Sequence, residues 1–159
     1  MDAVLDEVMH HLGVRFNPHS RSTPRINCHH NYSALEYHDG KELWITRKGA
    51  IKASIGDPGI IPGSMGTNTY IVEGLGNSLS YESCSHGAGR RMSRGQARRS
   101  LDVETDLMGA MAGKVWNNSK KLIDEAPGAY KDIDQVMKDQ SDLCVIKHTL
   151  SAVLNYKGH

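Results

Sequence analysis

The sequence predicts an α+β fold: a mixed sheet with helices packed on it. Short runs of alternating apolar and polar residues interleave with segments of helical spacing. Many of the sixteen glycines gather mid-chain, between those runs, where turns are needed. The 159 residues suffice for one domain with its own core, and no internal repeat or low-complexity linker divides them.

Residues 2–12 predict a helix, because Val4, Leu5, Val8 and Leu12 share one face and Gly13 follows as a stop. His10 and His11 fall at its C-terminal end, where the dipole favours them as surface residues. A polar loop with Pro18 and Pro24 comes next, and Arg15, Arg21 and Arg25 in and beside it are either solvated or phosphate contacts. Residues 33–37 predict a short helix that places Glu36 and His38 on the surface. Residues 42–46 and 50–55 alternate like strands, so Arg47-Lys48-Gly49 between them predicts a hairpin with a basic tip.

The stretch 57–69 reads as a glycine-rich loop with hydroxyl donors at Ser64, Thr67 and Thr69. It lacks the Gly-Lys-Ser/Thr ending of a Walker loop. A strand at 70–73, a turn at 74–77 and a returning strand at 78–83 then lead to a second turn around His86. This hairpin-like unit should bring the two glycine-rich turns together. Residues 90–99 predict a helix of good formers, 114–116 a short strand and 122–127 a bend. Residues 130–138 predict a helix with Ile133, Val136 and Met137 inward, and 143–156 a terminal strand.

The net charge of +1 excludes a chain that binds nucleic acid as a polyelectrolyte. The positive charge is instead local, with Arg90, Arg91, Arg94, Arg98 and Arg99 in one stretch. Three distant cysteines (Cys28, Cys84 and Cys144) argue for a reducing compartment rather than a disulfide framework. No apolar run reaches transmembrane length and the first residues are amphipathic, so the expected location is cytoplasmic, with no membrane partner.

The chain's chemistry centres on Ser83-Cys84-Ser85-His86-Gly87-Ala88-Gly89-Arg90-Arg91-Met92-Ser93-Arg94. A histidine before a small-residue turn that opens a helix, with arginines in the first turns, suits a phosphate cradle. There His86 could donate a proton, ligate a metal or attack phosphorus; alternatively it is a helix cap beside a solvated basic face. Upstream, tandem His29 and His30 flanked by Asn27 and Asn31 suggest one metal-ligating imidazole in an open site completed elsewhere. The fixed spacings of a structural zinc site are absent.

Taken together, Asn27-Cys28-His29-His30-Asn31-Tyr32, Trp44-Ile45-Thr46-Arg47-Lys48-Gly49-Ala50, Ile61-Pro62-Gly63-Ser64-Met65-Gly66, the His86 stretch, Tyr130-Lys131-Asp132-Ile133-Asp134 and Lys157-Gly158 resemble the RtcB family of RNA ligases. The resemblance runs in order from about Asn17, over the C-terminal half of such a ligase. It implies one RtcB-like region over 1–159, with an N-terminal helix in 1–16 and the guanylate-binding and nucleophile region in 17–159.

The resemblance further implies GTP- and manganese-dependent joining of RNA 3′-phosphate or 2′,3′-cyclic phosphate ends to 5′-hydroxyl ends, as in tRNA splicing or RNA repair. His86 would take GMP as a phosphoramidate. His30 would bind Mn²⁺, with His29 the weaker match. Asn31, Pro62, Gly63, Ser64, Met65, Thr69, Gly87, Ala88, Gly89 and Lys157 would hold the guanylate. Arg90 and Arg94 suit RNA or phosphate contacts on physical grounds alone. Further metal ligands (a Cys, an Asp, other His residues) would come from an N-terminal half, so RNA, a complementing half or an accessory activator are the expected partners. The competing readings are a non-catalytic nucleotide- or RNA-binding remnant and, from another class, a metal-dependent phosphoesterase using His30 and His86.

Overall fold

The computed structural model of the chain describes residues 26–157, together with Glu7, His10, His11 and Gly13. Glu7, His10 and His11 are helical, while the rest of the helix expected over 2–12 lies outside the described residues. So do the loop arginines Arg15, Arg21 and Arg25, and the terminal Gly158 and His159.

β1 (Asn31–His38) and β2 (Lys41–Lys48) form an antiparallel hairpin closed at Asp39-Gly40. The helix expected over 33–37 is therefore a strand. Ala34, Glu36 and His38 alternate onto the more buried face, and Ser33 Oγ meets Thr46 Oγ1 across the pair at 2.8 Å. Cross-strand pairing of this kind overrides a weak helical preference. The basic-tipped hairpin expected over 42–55 is also absent. β2 bends at Gly49 (φ +74°) into β3 (Ala50–Lys52), which pairs antiparallel with β6 (Ser83–Ser85). Only a residue free to adopt positive φ makes that bend cheaply.

β4 (Pro58–Pro62), β5 (Thr69–Gly74) and β8 (Cys144–Leu150) form a three-stranded antiparallel sheet in the order β4-β5-β8. β7 (Val115–Trp116) pairs parallel with β9 (Leu154–Asn155). The fold is α+β, as expected, with both pairing senses distributed over four small sheets among the described residues. The expected terminal strand over 143–156 is split into β8 and β9, and the returning strand over 78–83 is a 3-10 turn at Ser78–Ser80 followed by β6.

α1 (Arg94–Ser100) starts four residues later than expected, because Ser93 caps it by accepting from Gln96 N at 3.2 Å. Arg90 instead forms an isolated bridge with Tyr130. A π-helical turn follows at Val103–Met108, then a 3-10 helix at Lys120–Glu125, and α2 (Ile133–Asp139), capped by Asp132. One core cluster, with Ile51, Ile61, Tyr70, Val72 and Met137, lies beneath β3–β6 and α2. A second, with Met65, Leu107, Met111 and Leu122, lies under the region between α1 and β7. The His86 turn joins β6 to the segment before α1, and its Ala88 belongs to the first cluster.

Candidate functional site

His86 follows the last residue of β6, and its neighbours are fixed by backbone bonds. Its N–H donates to the Gly49 carbonyl at 3.3 Å, and the Gly49 N–H donates to the His30 carbonyl at 2.9 Å. One glycine at the β2–β3 bend thus links both histidines. Their rings stack face to face, with centroids 4.6 Å apart and planes 8° from parallel. His86 Nδ1 is buried and has no hydrogen-bond partner among the described residues. Such an orphaned polar atom is costly unless a ligand completes it.

Beyond His86 the chain turns through Gly87, Ala88 and Gly89. The Ala88 N–H donates to the Pro62 carbonyl at 3.3 Å, and a Cβ on Gly87 would lie 3.0 Å from that same oxygen. The turn at 63–68 closes by Gly63 N–H to Asn68 carbonyl at 3.0 Å and Ser64 N–H to Thr67 Oγ1 at 2.7 Å. The two glycine-rich turns therefore touch, as the sequence leads one to expect. The expected helix N-terminus does not take part: α1 begins eight residues after His86 and is one short segment.

A cavity of about 270 Å³ lies between the two turns, lined by Pro62, Gly63, His86, Gly87, Ala88 and Gly89, with Arg90 and Tyr130 at its side. A neighbouring cavity of about 380 Å³ shares Pro62, Gly63 and Tyr130 and adds Ser64, Met65, Thr69, Glu125 and Lys157. Nine of the ten residues expected to hold guanylate line one or both cavities. Asn31 lines neither; it opens β1 beside His30, opposite Lys48.

Glu125 and Tyr130 are the site residues that sequence reasoning missed. The sequence places Glu125 in a bend, and Tyr130 at the start of a helix and of one motif of the family resemblance, with no site role for either. Glu125 accepts from Arg90 Nη2 at 2.6 Å, Tyr130 Oη at 2.7 Å and Lys157 Nζ at 3.4 Å. Burial opposes its charge, but Tyr130, Lys157 and Arg90 outweigh that and hold the carboxyl below its usual range. Burial, then the Glu125 carboxylate, push the Tyr130 hydroxyl up to about 12. The one signal available in advance was an acidic pair, Asp124-Glu125, set in an apolar stretch.

The arginines divide. Arg90 is engaged: it donates to the Asp124 carbonyl at 2.8 Å and lies 4.6 Å above the Tyr130 ring. Arg94 is 71% exposed and only 3.7 Å from Asp124 Oδ2, so it is the freer phosphate donor. It borders a groove of about 560 Å³ with Arg98, Lys121 and Lys157.

The metal question is narrower. Among the described residues, no three of His, Cys, Asp and Glu cluster closely enough to hold an ion. Cys28 Sγ faces the Ile60 carbonyl at 3.9 Å, and His29 faces Tyr32; neither joins His30 and His86. His30 supplies one imidazole suited to a divalent-ion shell and not a whole shell.

A profile of the family described as tRNA-splicing ligase RtcB matches residues 1–158. The chain belongs to the RtcB family. The RNA-splicing ligase RtcB of Escherichia coli K12 is 51% identical over 141 residues, 89% of this chain and 34% of that protein. The tRNA-splicing ligase RtcB of Aeropyrum pernix is 37% identical over 128 residues, 67% of this chain and 27% of its own length. The RNA-splicing ligase RtcB of Mycobacterium tuberculosis is 34% identical over 130 residues, 69% and 30% respectively. The chain thus spans about a third of the length of the RtcB relatives it matches.

Proposed function

We propose that this chain is the nucleophile-bearing part of an RtcB-type RNA ligase, joining RNA 3′-phosphate or 2′,3′-cyclic phosphate ends to 5′-hydroxyl ends. The reading rests on one observation above all: His86, with a ring nitrogen unpartnered among the described residues, faces a cavity built from two glycine-rich turns. An imidazole nitrogen of His86 attacks the α-phosphorus of GTP. A P–N bond forms, the P–O bond to pyrophosphate breaks, and GMP stays on His86. Where the RNA end is a 2′,3′-cyclic phosphate, water first adds at its phosphorus and the P–O2′ bond breaks, leaving a 2′-hydroxyl and a 3′-phosphate. An oxygen of the RNA 3′-phosphate then displaces the histidine at the guanylate phosphorus. The 5′-hydroxyl oxygen attacks the activated 3′-phosphate, its proton goes to solvent, and GMP leaves.

Each lining residue has a stated part. Gly87 and Gly63, without side chains, let a nucleotide phosphate approach the backbone. Ser64 and Thr69 supply hydroxyls to the nucleotide. Glu125 holds Lys157 at the cavity edge until an acceptor on the ligand competes for it. Arg94 meets incoming RNA phosphate. His30 would hold Mn²⁺ together with ligands from the rest of the ligase, and the ion when bound neutralises charge on the phosphates.

The test pairs the chain with the missing N-terminal portion of the E. coli relative, supplied as a separate polypeptide. An RNA with a 3′-phosphate and one with a 5′-hydroxyl should be joined in a GTP-dependent way. Nucleotide bound with no joined product, at any ratio of the two parts, would support a non-catalytic remnant instead.

A further inference from the structure

Arg47 was expected at the basic tip of a hairpin, yet it is 2% exposed, one of the most deeply buried side chains described. Its donors are spent in three directions. Nη1 and Nη2 both bond the Glu36 carboxylate on β1, the second at 2.9 Å, and Nη1 also reaches Tyr32 Oη at 3.1 Å. Nε donates to Ser83 Oγ at 2.9 Å, on β6. Nη2 also donates to the Tyr81 carbonyl at 2.9 Å. Tyr81 and Glu82 are consecutive non-glycine residues at positive φ, +51° and +49°. That conformation costs energy and persists only where the surroundings impose it. Arg47 grips this turn two residues before β6 begins to deliver His86.

The other end of the lever is the hairpin. β2 continues from Arg47 through Lys48 to Gly49, which bonds both histidines, and β1 begins immediately after His30. Thus His30 and Gly49 belong to the hairpin, while His86 belongs to β6. Beside the short β3–β6 pairing, the Gly49–His86 backbone bond and the His38–Tyr81 ring contact, Arg47 is a buried side-chain cross-link between them.

We propose that Arg47, paired with Glu36, is the positioning residue for the His30–His86 stack, setting the distance and tilt between the hairpin and the strand that carries the nucleophile. Arg47 touches neither cavity. It acts through Ser83 and Tyr81 on one side and Gly49 on the other. The proposal deepens the reading of His86 as nucleophile, and its consequence for catalysis rests on that reading; the geometric claim is separable.

The experiment uses the full chain with ¹³C-labelled histidine and reads the ring-to-ring NOE between His30 and His86. Arg47→Lys keeps a cation but cannot bridge all four partners, Glu36, Tyr32, Ser83 and Tyr81. Ser83→Ala removes the bond from Arg47 Nε, together with the Ser83 Oγ bond to the Tyr81 carbonyl, and leaves the Arg47–Glu36 pair intact, so it decides the matter if the lysine variant fails to fold. Val72→Ala serves as a core control away from the clamp. The cross-peak should be present in the parent chain and in Val72→Ala, and weakened in Ser83→Ala. It should be lost in Arg47→Lys, while cross-strand NOEs within the β1–β2 hairpin persist. An unchanged cross-peak in both clamp variants, or an equal loss in Val72→Ala, would overturn the proposal. If the geometry changes as stated while the complemented wild-type chain still joins no RNA, the functional reading fails and the positioning claim stands.

Discussion

Glu36 illustrates how much one side chain departs from its sequence appearance. The resident expectation for a glutamate at that position is a solvated surface; it is instead 11% exposed, bonded by Arg47 and, at 3.1 Å, by His38. Chiefly the hydrogen bonds from Arg47 hold its carboxyl at about 2, against an ordinary 4.5. A depressed carboxylate contributes stability above its unfolded value and loses it on acidification. The pair should therefore contribute on the order of 2–3 kcal/mol above about pH 4.5, declining as pH falls towards about 2. Glu36→Gln should flatten that limb of a urea-unfolding series across pH; an unchanged slope would contradict the account. Arg47→Met should cost about 3–5 kcal/mol, since it strands a buried carboxylate. Nothing in the residue types announced this pair. Arg47-Lys48-Gly49 looks like a turn because a buried arginine is rare and its partners, Ser83 and Tyr81, are distant in sequence.

At the scale of elements, the sequence was most legible where glycine and hydroxyl residues define a turn. Ser64, Thr67 and Gly63 interlock locally, so the second part of the loop expected over 57–69, the turn at 63–68, could be read without knowing its neighbours, whereas its first part is the strand β4, which needs β5 to form. A Cβ on Gly63 would lie 2.2 Å from Thr67 Oγ1 and 2.7 Å from the Asn68 carbonyl. Gly63→Ala should accordingly cost about 1–3 kcal/mol in thermal unfolding and distort the cavity floor. A variant as stable as the parent would show that the turn yields freely. Legibility failed where pairing is long-range. The strand β1 was read as a helix because its partner β2 contributes the deciding contacts, and the 78–83 segment was read as a strand because two left-handed residues, Tyr81 and Glu82, carry no glycine signature. Glu125 was invisible for the same reason: Arg90, Tyr130 and Lys157 converge on it only in space.

Across the molecule, apolar surface is left uncovered. Leu35 and Trp44 are 51% and 72% exposed on one face of the β1–β2 hairpin, where they stand opposite each other. Val153, Leu154 and Tyr156 are 78%, 59% and 82% exposed, and β8 is exposed along all but its first residue. Such faces favour association. The chain alone should bind a hydrophobic dye and sediment with a concentration-dependent mass, and the N-terminal portion of an RtcB relative should suppress both. A monomer that binds no dye would contradict this. No described helix is long and apolar enough to cross a membrane. Family membership was readable because its motifs are spaced along nearly the whole chain. A complete metal site was not, since among the described residues no three of His, Cys, Asp and Glu cluster.

The central claim is that His86 carries the guanylate and depends on groups outside this chain. The most direct measurement is peptide mapping by mass spectrometry after incubation with GTP and Mn²⁺, with and without the N-terminal portion of an RtcB relative. The account predicts an acid-labile GMP adduct on the peptide containing His86, absent in His86→Ala and weak or absent without the added portion. An adduct on another residue, or none under either condition, would contradict it.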